Sequence, residues 1–211
     1  MAYLNGKKIM FTAKAVLVNS AQEYDQGYSE GFAAGVEAGF NDGDSYRRRM
    51  MFGLIGRDFD AIEPEYLDGL TYVGGYAFYN YSKLKSVNLP ESVTELRGAA
   101  FQNCTALTSF IFSEKVTNIS GSAFNGCSSL TELVIPASVT NIGTSALKIG
   151  SASKKATIEF LGTTPPQIAS NTFDFNTLEK IIVPQGSLEA YTTGTNWALV
   201  ADNVPIEEEA L

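Results

Sequence analysis

The chain has 211 residues, and the 45% that are hydrophobic can bury the core of one large domain or two small ones. Its 23 acidic and 15 basic side chains give a formal net charge of -8, which repels a phosphate backbone, so we do not expect nucleic acid as a partner. The chain has no histidine and only 2 cysteines, which excludes Ser/His/Asp triads, histidine metal ligands and four-cysteine zinc sites. We therefore expect no metal, no cofactor and no enzymatic activity.

The N-terminal residues predict a pair of strands. Lys7 and Lys8 precede an apolar run that ends at Val18, but Lys14 interrupts the run and no clean small-residue cleavage site follows. A signal peptide is therefore not expected. No apolar stretch of the chain approaches the roughly 18 residues that a membrane-spanning helix needs, so membrane insertion is not expected either.

Residues 24–43 carry two stripes, one of glycine and one of aromatic or aliphatic side chains, each repeating every four residues. Four interior glycines oppose an isolated helix by roughly 3 to 4 kcal/mol, so packing must hold this helix. Small residues let helix backbones approach closely, and a repeat longer than 3.6 residues favours right-handed supercoiling. We predict a homo-oligomeric bundle; packing on the rest of the chain and disorder are the alternatives. The predicted oligomerisation residues are Tyr24, Gly27, Tyr28, Gly31, Phe32, Gly35, Val36, Gly39 and Phe40.

A repeat of 23 residues begins at Leu70, after a segment, 44–66, that we interpret as a linker and a first capping coil. Arg47, Arg48 and Arg49 in that segment favour a solvated turn over a phosphate site. The apolar columns of the first half of the repeat are Leu70, Val93, Val116 and Val139; Val73, Leu96, Ile119 and Ile142; and Phe78, Phe101, Phe124 and Leu147. Those of the second half are Leu84, Leu107 and Leu130; Val87, Phe110, Leu133 and Ile158; and Leu89, Phe112, Ile135 and Phe160.

Stacked coils give each of these columns a neighbour above and below, at about 4.8 Å, whereas one 23-residue unit cannot bury them alone. A degenerate coil follows from Pro165 to Val183, with Phe173 in the aromatic column. Residues 184–204 break the period and contain Tyr191 and Trp197, which suits a cap over the last coil. We therefore divide the chain into an attachment segment (1–43), the linker and capping coil (44–66), a solenoid (67–183) and a cap with an acidic tail (184–211).

The columns in VTNISGSAFNGCSSLTELVIPASVTNIG and the ending TPPQIASNTF, IIVPQGSLEAY and NWALVADNV resemble the BspA-like class of leucine-rich repeats. The resemblance covers roughly residues 67 to 204 and implies a curved solenoid used in surface attachment and virion-associated recognition, without catalytic residues. The fold class expected from it is an α/β repeat solenoid, a right-handed stack of coils, with an N-terminal β segment and the glycine-striped helix.

The opening AYLNGKKIMFTAKAVL, followed by the run of Gly-Tyr and Gly-Phe pairs, resembles the start of bacteriophage virion proteins from Gram-positive hosts. This resemblance implies a tail-fibre or decoration protein, made in the host cytoplasm and released in the virion by lysis. Resemblance to viral fibres favours a homotrimer, and other virion proteins are implied as partners. The alternatives are a bacterial cell-surface adhesion protein and a purely structural decoration protein that binds no receptor.

Along each predicted strand, the residues between the inward columns face outwards, on the surface that solenoids usually offer to ligands. Ile111, Val134 and Ile182 are apolar there, which indicates an interface; the alternative is that β-branched residues merely favour exposed strands. We predict binding of a host cell-surface protein or glycan. A carboxylate pair from Glu132 and Glu159 for glycoside hydrolysis is disfavoured on an open surface. The predicted ligand-binding residues are Asn88, Ser109, Ile111, Glu132, Val134, Glu159 and Ile182.

Cys104 and Cys127 occupy the same column in adjacent coils. A coil spacing of about 4.8 Å falls within the Cα separation of roughly 4.4 to 6.8 Å that a disulfide tolerates. Since cysteine is also a common small buried residue, we favour stacked free thiols.

Overall fold

The computed structural model describes residues 3–4, 7–8, 60–62, 67 and 70–209. Strands β1 (Tyr3–Leu4) and β2 (Lys7–Lys8) pair antiparallel at the N-terminus, with Tyr3 opposite Lys8. The apolar run 9–18, the glycine-striped segment 24–43 and the arginines at 47–49 lie outside the described residues. The remainder of the described chain is a stack of coils.

From Tyr72 onwards each coil contributes one short strand and one longer strand, and the short strands form a continuous parallel sheet, the short sheet. Neighbouring strands pair at the period of the sequence, so that Val73 lies opposite Leu96 and Leu96 opposite Ile119. The strands of the short sheet are β4 (Tyr72–Val73), β6 (Glu95–Leu96), β8 (Asn118–Ile119), β10 (Asn141–Ile142) and β12 (Gln167–Ile168).

The longer strands form a second parallel sheet, the main sheet, in two blocks. The first block contains β3 (Ala61–Ile62), β5 (Ser86–Asn88) and β7 (Ser109–Ile111). The second block contains β9 (Glu132–Ile135), β11 (Ala156–Phe160), β13 (Leu178–Val183) and β14 (Ile206–Glu208). We number the coils by these strands: coil 1 contains β3, and coils 2 to 6 are residues 70–92, 93–115, 116–138, 139–164 and 165–183.

Tight turns, not helices, connect the short strand to the main strand in coils 2 to 5, so the predicted α/β class is wrong for these coils and the solenoid is a β-solenoid. In coil 2 the turn runs over residues 75–80, and Tyr76 (φ 59°) and Asn80 (φ 63°) both adopt the left-handed conformation. Two left-handed residues this close together prevent a right-handed helical turn. The turn instead bonds to the next coil: the N–H of Phe78 donates to the carbonyl of Ala100 at 2.7 Å.

The predicted apolar columns form one continuous core, which confirms the period of 23. The aromatic column lies at its centre: the ring centroids of Phe78 and Phe101 are 5.1 Å apart and those of Phe101 and Phe124 are 5.7 Å apart, both stacked. Leu147 bridges to Phe173, which continues the column into coil 6 as predicted. Only Leu70 and Phe112 of the columns are less than fully buried, and both still pack against the core.

Residues 184–209 close the C-terminal end of the stack through two short helices, α1 (Leu188–Thr193) and α2 (Trp197–Ala201), and strand β14. Trp197 is buried, and its Nε1–H donates to the carbonyl of Pro166 at 2.9 Å. The hydroxyl of Tyr191 donates to the carbonyl of Gly162 at 2.8 Å. The predicted covering of the last coil by Tyr191 and Trp197 is therefore confirmed.

The acidic tail takes part in the fold, a role that the sequence leaves open. Glu207 and Glu208 lie within β14, which pairs in parallel with β13. The Glu208 carboxylate accepts a hydrogen bond from the backbone N–H of Gly186 at 2.8 Å. The tail therefore holds the loop that leads into α1.

Candidate binding surface

The outer face of the main sheet is formed by alternate residues of its strands. On β7 and β9 the inward residues Phe110 and Leu133 are buried, while the outward residues are exposed, as the alternation of side chains along a strand requires. Two of the outward residues are aliphatic: Ile111 is 56% exposed and Val134 is 43% exposed. The predicted outward orientation is therefore confirmed for both.

The sheet gathers the sequence-predicted binding residues into two groups, one on each block. Asn88 lies directly beside Ile111 on the first block, and Ser109 lies two residues before Ile111 on the same strand. On the second block, Glu159 lies between Val134 and Ile182 in the register of the ladder, and Glu132 lies beside Thr157. Ser109 and Glu132 are exposed, whereas Asn88, Glu159 and Ile182 are half-buried.

Ile182 is less exposed than the strand pattern alone predicts because β14 adds a strand beside it. Its register partner on β14 is Glu207, whose carboxylate also forms an ion pair with the Lys180 ammonium at 2.8 Å. Neither β14 nor Glu207 is predicted as a neighbour of Ile182 from the sequence, because both lie outside the repeat. The sequence signal for this strand is Ile206, an apolar residue directly before the acidic run, which packs against the core.

Two carboxylates on this face, those of Glu132 and Glu159, are not direct cross-strand neighbours. Glu132 is in register with Thr157, and Glu159 is in register with Val134, so the two glutamates lie diagonally across β9 and β11. Within the described residues, no group of three or more Cys, Asp or Glu side chains could hold a metal ion. No helix in the described part of the chain is long and apolar enough to span a membrane.

Cys104 and Cys127 are free, buried thiols in the core beneath the turns. Each points along the stack: Cys104 Sγ donates to the carbonyl of Phe78 at 3.1 Å, and Cys127 Sγ donates to that of Phe101 at 3.2 Å. Burial raises the pKa of Cys104 from 9.0 to about 12. The pKa of Cys127 is raised still further by burial and by the neighbouring Cys104. Both are therefore protonated structural side chains, since the thiolate is the reactive form.

The predicted oligomerisation residues, from Tyr24 to Phe40, lie outside the described residues. Leu161, by contrast, was missed: it follows β11 directly and is 43% exposed. Its position just beyond a predicted strand end left it outside the alternation from which the outward residues were read.

The repeat can be compared with known proteins. The model of the BspA type leucine-rich repeat region matches residues 61–173 in 6 copies, which is more than half of the chain. The chain belongs to the BspA-type leucine-rich repeat family. The matched residues begin at β3 and end at Phe173 in the turn of coil 6.

Solved structures share this BspA-type fold. A leucine-rich repeat protein of T. pallidum is 27% identical, with a TM-score of 0.52, over 61% of this chain and 60% of that one. The pneumococcal vaccine antigen PcpA is 19% identical, with a TM-score of 0.51, over 73% of this chain and 42% of its own. The chain thus spans less than two thirds of either protein. No match was found among proteins with curated functions.

Proposed function

We propose that this BspA-type protein is a non-enzymatic recognition protein that attaches to a cell surface through the outer face of its main sheet. The observation that carries the proposal is the exposure of Ile111 and Val134, at 56% and 43%, on neighbouring coils of that face. Contiguous exposed apolar side chains with a polar rim are typical of interaction sites. The open sheet, without an enclosed pocket for chemistry, supports binding over catalysis.

The side chains around the aliphatic pair favour a protein as the partner. Ser109 and Glu132 flank it in exposed positions, while Asn88 and Glu159 are half-buried beside it. An aliphatic centre with polar groups at its edge is the usual composition of a protein–protein interface. A glycan receptor is the alternative outcome of the experiment below.

The place where the solenoid is displayed is a second part of the proposal. The resemblance of residues 2–17 to the start of phage virion proteins supports a virion, as a tail fibre or a decoration protein. The bacterial origin of T. pallidum's repeat protein supports the alternative, display on a bacterial cell. In a virion, the glycine-striped segment 24–43 would join several copies, a trimer by preference, and weak solenoid contacts would add up through avidity.

A variant of the outer face tests binding. We expect Ile111→Asp combined with Val134→Asp to lower adsorption of the protein to bacterial cells at least about tenfold, the effect of losing about 1.4 kcal/mol of binding energy. Leu199→Asp is the matched control, because Leu199 is 42% exposed but lies on α2 in the cap. Loss of binding to protease-treated but not to deglycosylated cells would identify a protein receptor. Unchanged adsorption by the double variant, with lost particle assembly, would replace recognition by a purely structural role.

A further inference from the structure

The main sheet is interrupted between coils 3 and 4. At the junction before it, the backbone N–H of Thr108 donates to the carbonyl of Lys85 at 2.8 Å. At the junction after it, the N–H of Thr157 donates to the carbonyl of Thr131, again at 2.8 Å. Thr157 is at the position of Ser109 and Glu132, and the Ser109 N–H also donates to the carbonyl of Lys85, at 3.2 Å. Neither Thr131 nor Glu132 donates a corresponding bond to the carbonyl of Thr108, and no ladder joins β7 to β9 in the described chain.

The same junction is fully bonded on its other sides. In the short sheet, β6 pairs with β8, and the N–H of Thr117 donates to the carbonyl of Thr94 at 2.9 Å. In the turns, the N–H of Phe101 donates to the carbonyl of Ala123 at 2.9 Å. Coils 3 and 4 are therefore joined along two sides and unbonded along the third.

Phe110 supplies the physical cause. Its column holds the smaller Val87, Leu133 and Ile158 in other coils, and its ring packs against the side of the stacked rings of coils 3 and 4. The Phe110 centroid is 5.0 Å from that of Phe101 and 4.7 Å from that of Phe124, edge-on to both. The Phe101 and Phe124 centroids are 5.7 Å apart, against 5.1 Å for Phe78 and Phe101 one coil earlier. A ring packed against the side of both stacked rings fills the space into which the two coils would close, since packed cores have no spare volume.

We infer that the junction between coils 3 and 4 is a hinge, held open by Phe110. The two blocks of the main sheet move about the side formed by the short sheet and the turns, because backbone bonds restrain the junction there but not between β7 and β9. Ile111 ends the first block and Val134 lies in the first strand of the second. The hinge therefore sets the distance between the two aliphatic side chains, a consequence that rests on the proposed function.

Amide hydrogen exchange of the full chain, followed residue by residue by NMR without any ligand, tests the hinge. The period provides a matched comparison of the same residue type: the amide of Thr131 against that of Thr108 one coil earlier. Thr157, one position later in its coil, is the bonded threonine at the following junction. We expect Thr131 to exchange at least about tenfold faster than both, because an unbonded amide exchanges without local unfolding. The amide of Leu89 donates to the carbonyl of Ile111 at 3.0 Å. We expect the exchange rate of the Phe112 amide to exceed that of the Leu89 amide by a similar factor. Equal protection at all three junctions would overturn the hinge.

The role of Phe110 is tested separately by Phe110→Leu, which places in coil 3 the residue type found at Leu133. We expect the junction to close, with exchange at Thr131 slowing to within about threefold of Thr108. Ile158→Leu, in the same column of the second block, is the control and leaves exchange at Thr131 unchanged. If Phe110→Leu folds and the Thr131 amide still exchanges fast, Phe110 does not hold the junction open. Neither measurement uses a receptor, so a result that overturns the hinge is distinct from a result that overturns surface binding.

Discussion

The interior coils and the C-terminal cap bury similar side chains but satisfy their hydrogen bonds in different ways. An interior coil meets a near copy of itself, so backbone bonds repeat with the period, as from Phe78 to Ala100 and from Phe101 to Ala123. The cap has no copy to meet. It completes the last coil with side chains instead: Trp197 and Asn196 donate to the carbonyls of Pro166 and Ile168 at 2.9 and 2.7 Å. The backbone hydrogen bonds of a stack can therefore repeat only where both neighbours of a coil are themselves coils.

Truncation of the cap's tryptophan should produce the largest effect. We expect Trp197→Ala to lower the free energy of unfolding by about 3 to 5 kcal/mol, because it removes a buried indole that packs edge-on to Phe160 and Tyr191. Urea denaturation followed by circular dichroism measures the loss. Trp197→Phe keeps a ring but loses the bond to Pro166, and should cost less than Trp197→Ala. A loss below 1 kcal/mol in Trp197→Ala would mean that the cap does not close the core.

The buried thiols make the interior coils sensitive to alkaline pH. Their folded-state pKa is raised above the ordinary 9.0 by burial, so the stability that they contribute is complete below pH 9 and falls as pH rises towards the folded value of about 12 for Cys104. Above pH 9 each thiol should cost up to about 1.4 kcal/mol per pH unit. Urea midpoints at pH 8, 9 and 10 should fall accordingly. A Cys104→Ala, Cys127→Ala variant should lose this slope; an unchanged slope would assign it to other groups.

A smaller effect is expected at the turns of the interior coils. Asn103 has φ 61° and donates through Nδ2 to Asn80 Oδ1 at 2.9 Å. Asn103→Ala should cost about 1 to 2 kcal/mol, because it loses the bond and places a Cβ without local compensation in the left-handed region. Asn103→Gly removes the strain and should cost less, as Gly126 with φ 80° at the same position of coil 4 indicates. Thermal unfolding ranks the two variants; the reverse order would show that the backbone entropy cost of glycine, not the strain of the left-handed φ, dominates.

Much of the solenoid was predictable because identical neighbours make burial periodic. The aromatic column ending at Phe173, and the covering role of Trp197, followed from spacing and residue type alone. The absence of helix from the coils was harder to predict. Tyr76 and Ala99 adopt a left-handed φ, and neither residue type predicts that conformation. The interruption of the main sheet depends on a clash of size between coils, which Phe110 and Phe112 signal only when their neighbours are known.

The candidate surface was predictable in orientation but not in extent. Alternation along a strand identifies Ile111 and Val134 as outward without any structure. The burial of Ile182 depends on β14, which pairs with β13 across 20 or more residues of cap and is not part of the repeat. Long-range pairings of this kind leave no periodic trace in a sequence.

The acidic character of β14 has a consequence for how copies of the protein can join. Strand edges invite further strands, and charged side chains on an edge are a common defence against such pairing. The C-terminal edge of the main sheet carries Glu207, Glu208 and Glu209, while Trp197 and Asn196 occupy the carbonyls at the end of the short sheet. Growth of head-to-tail filaments through this end is therefore opposed. Copies of the protein that associate therefore do so through surfaces other than this end of the stack.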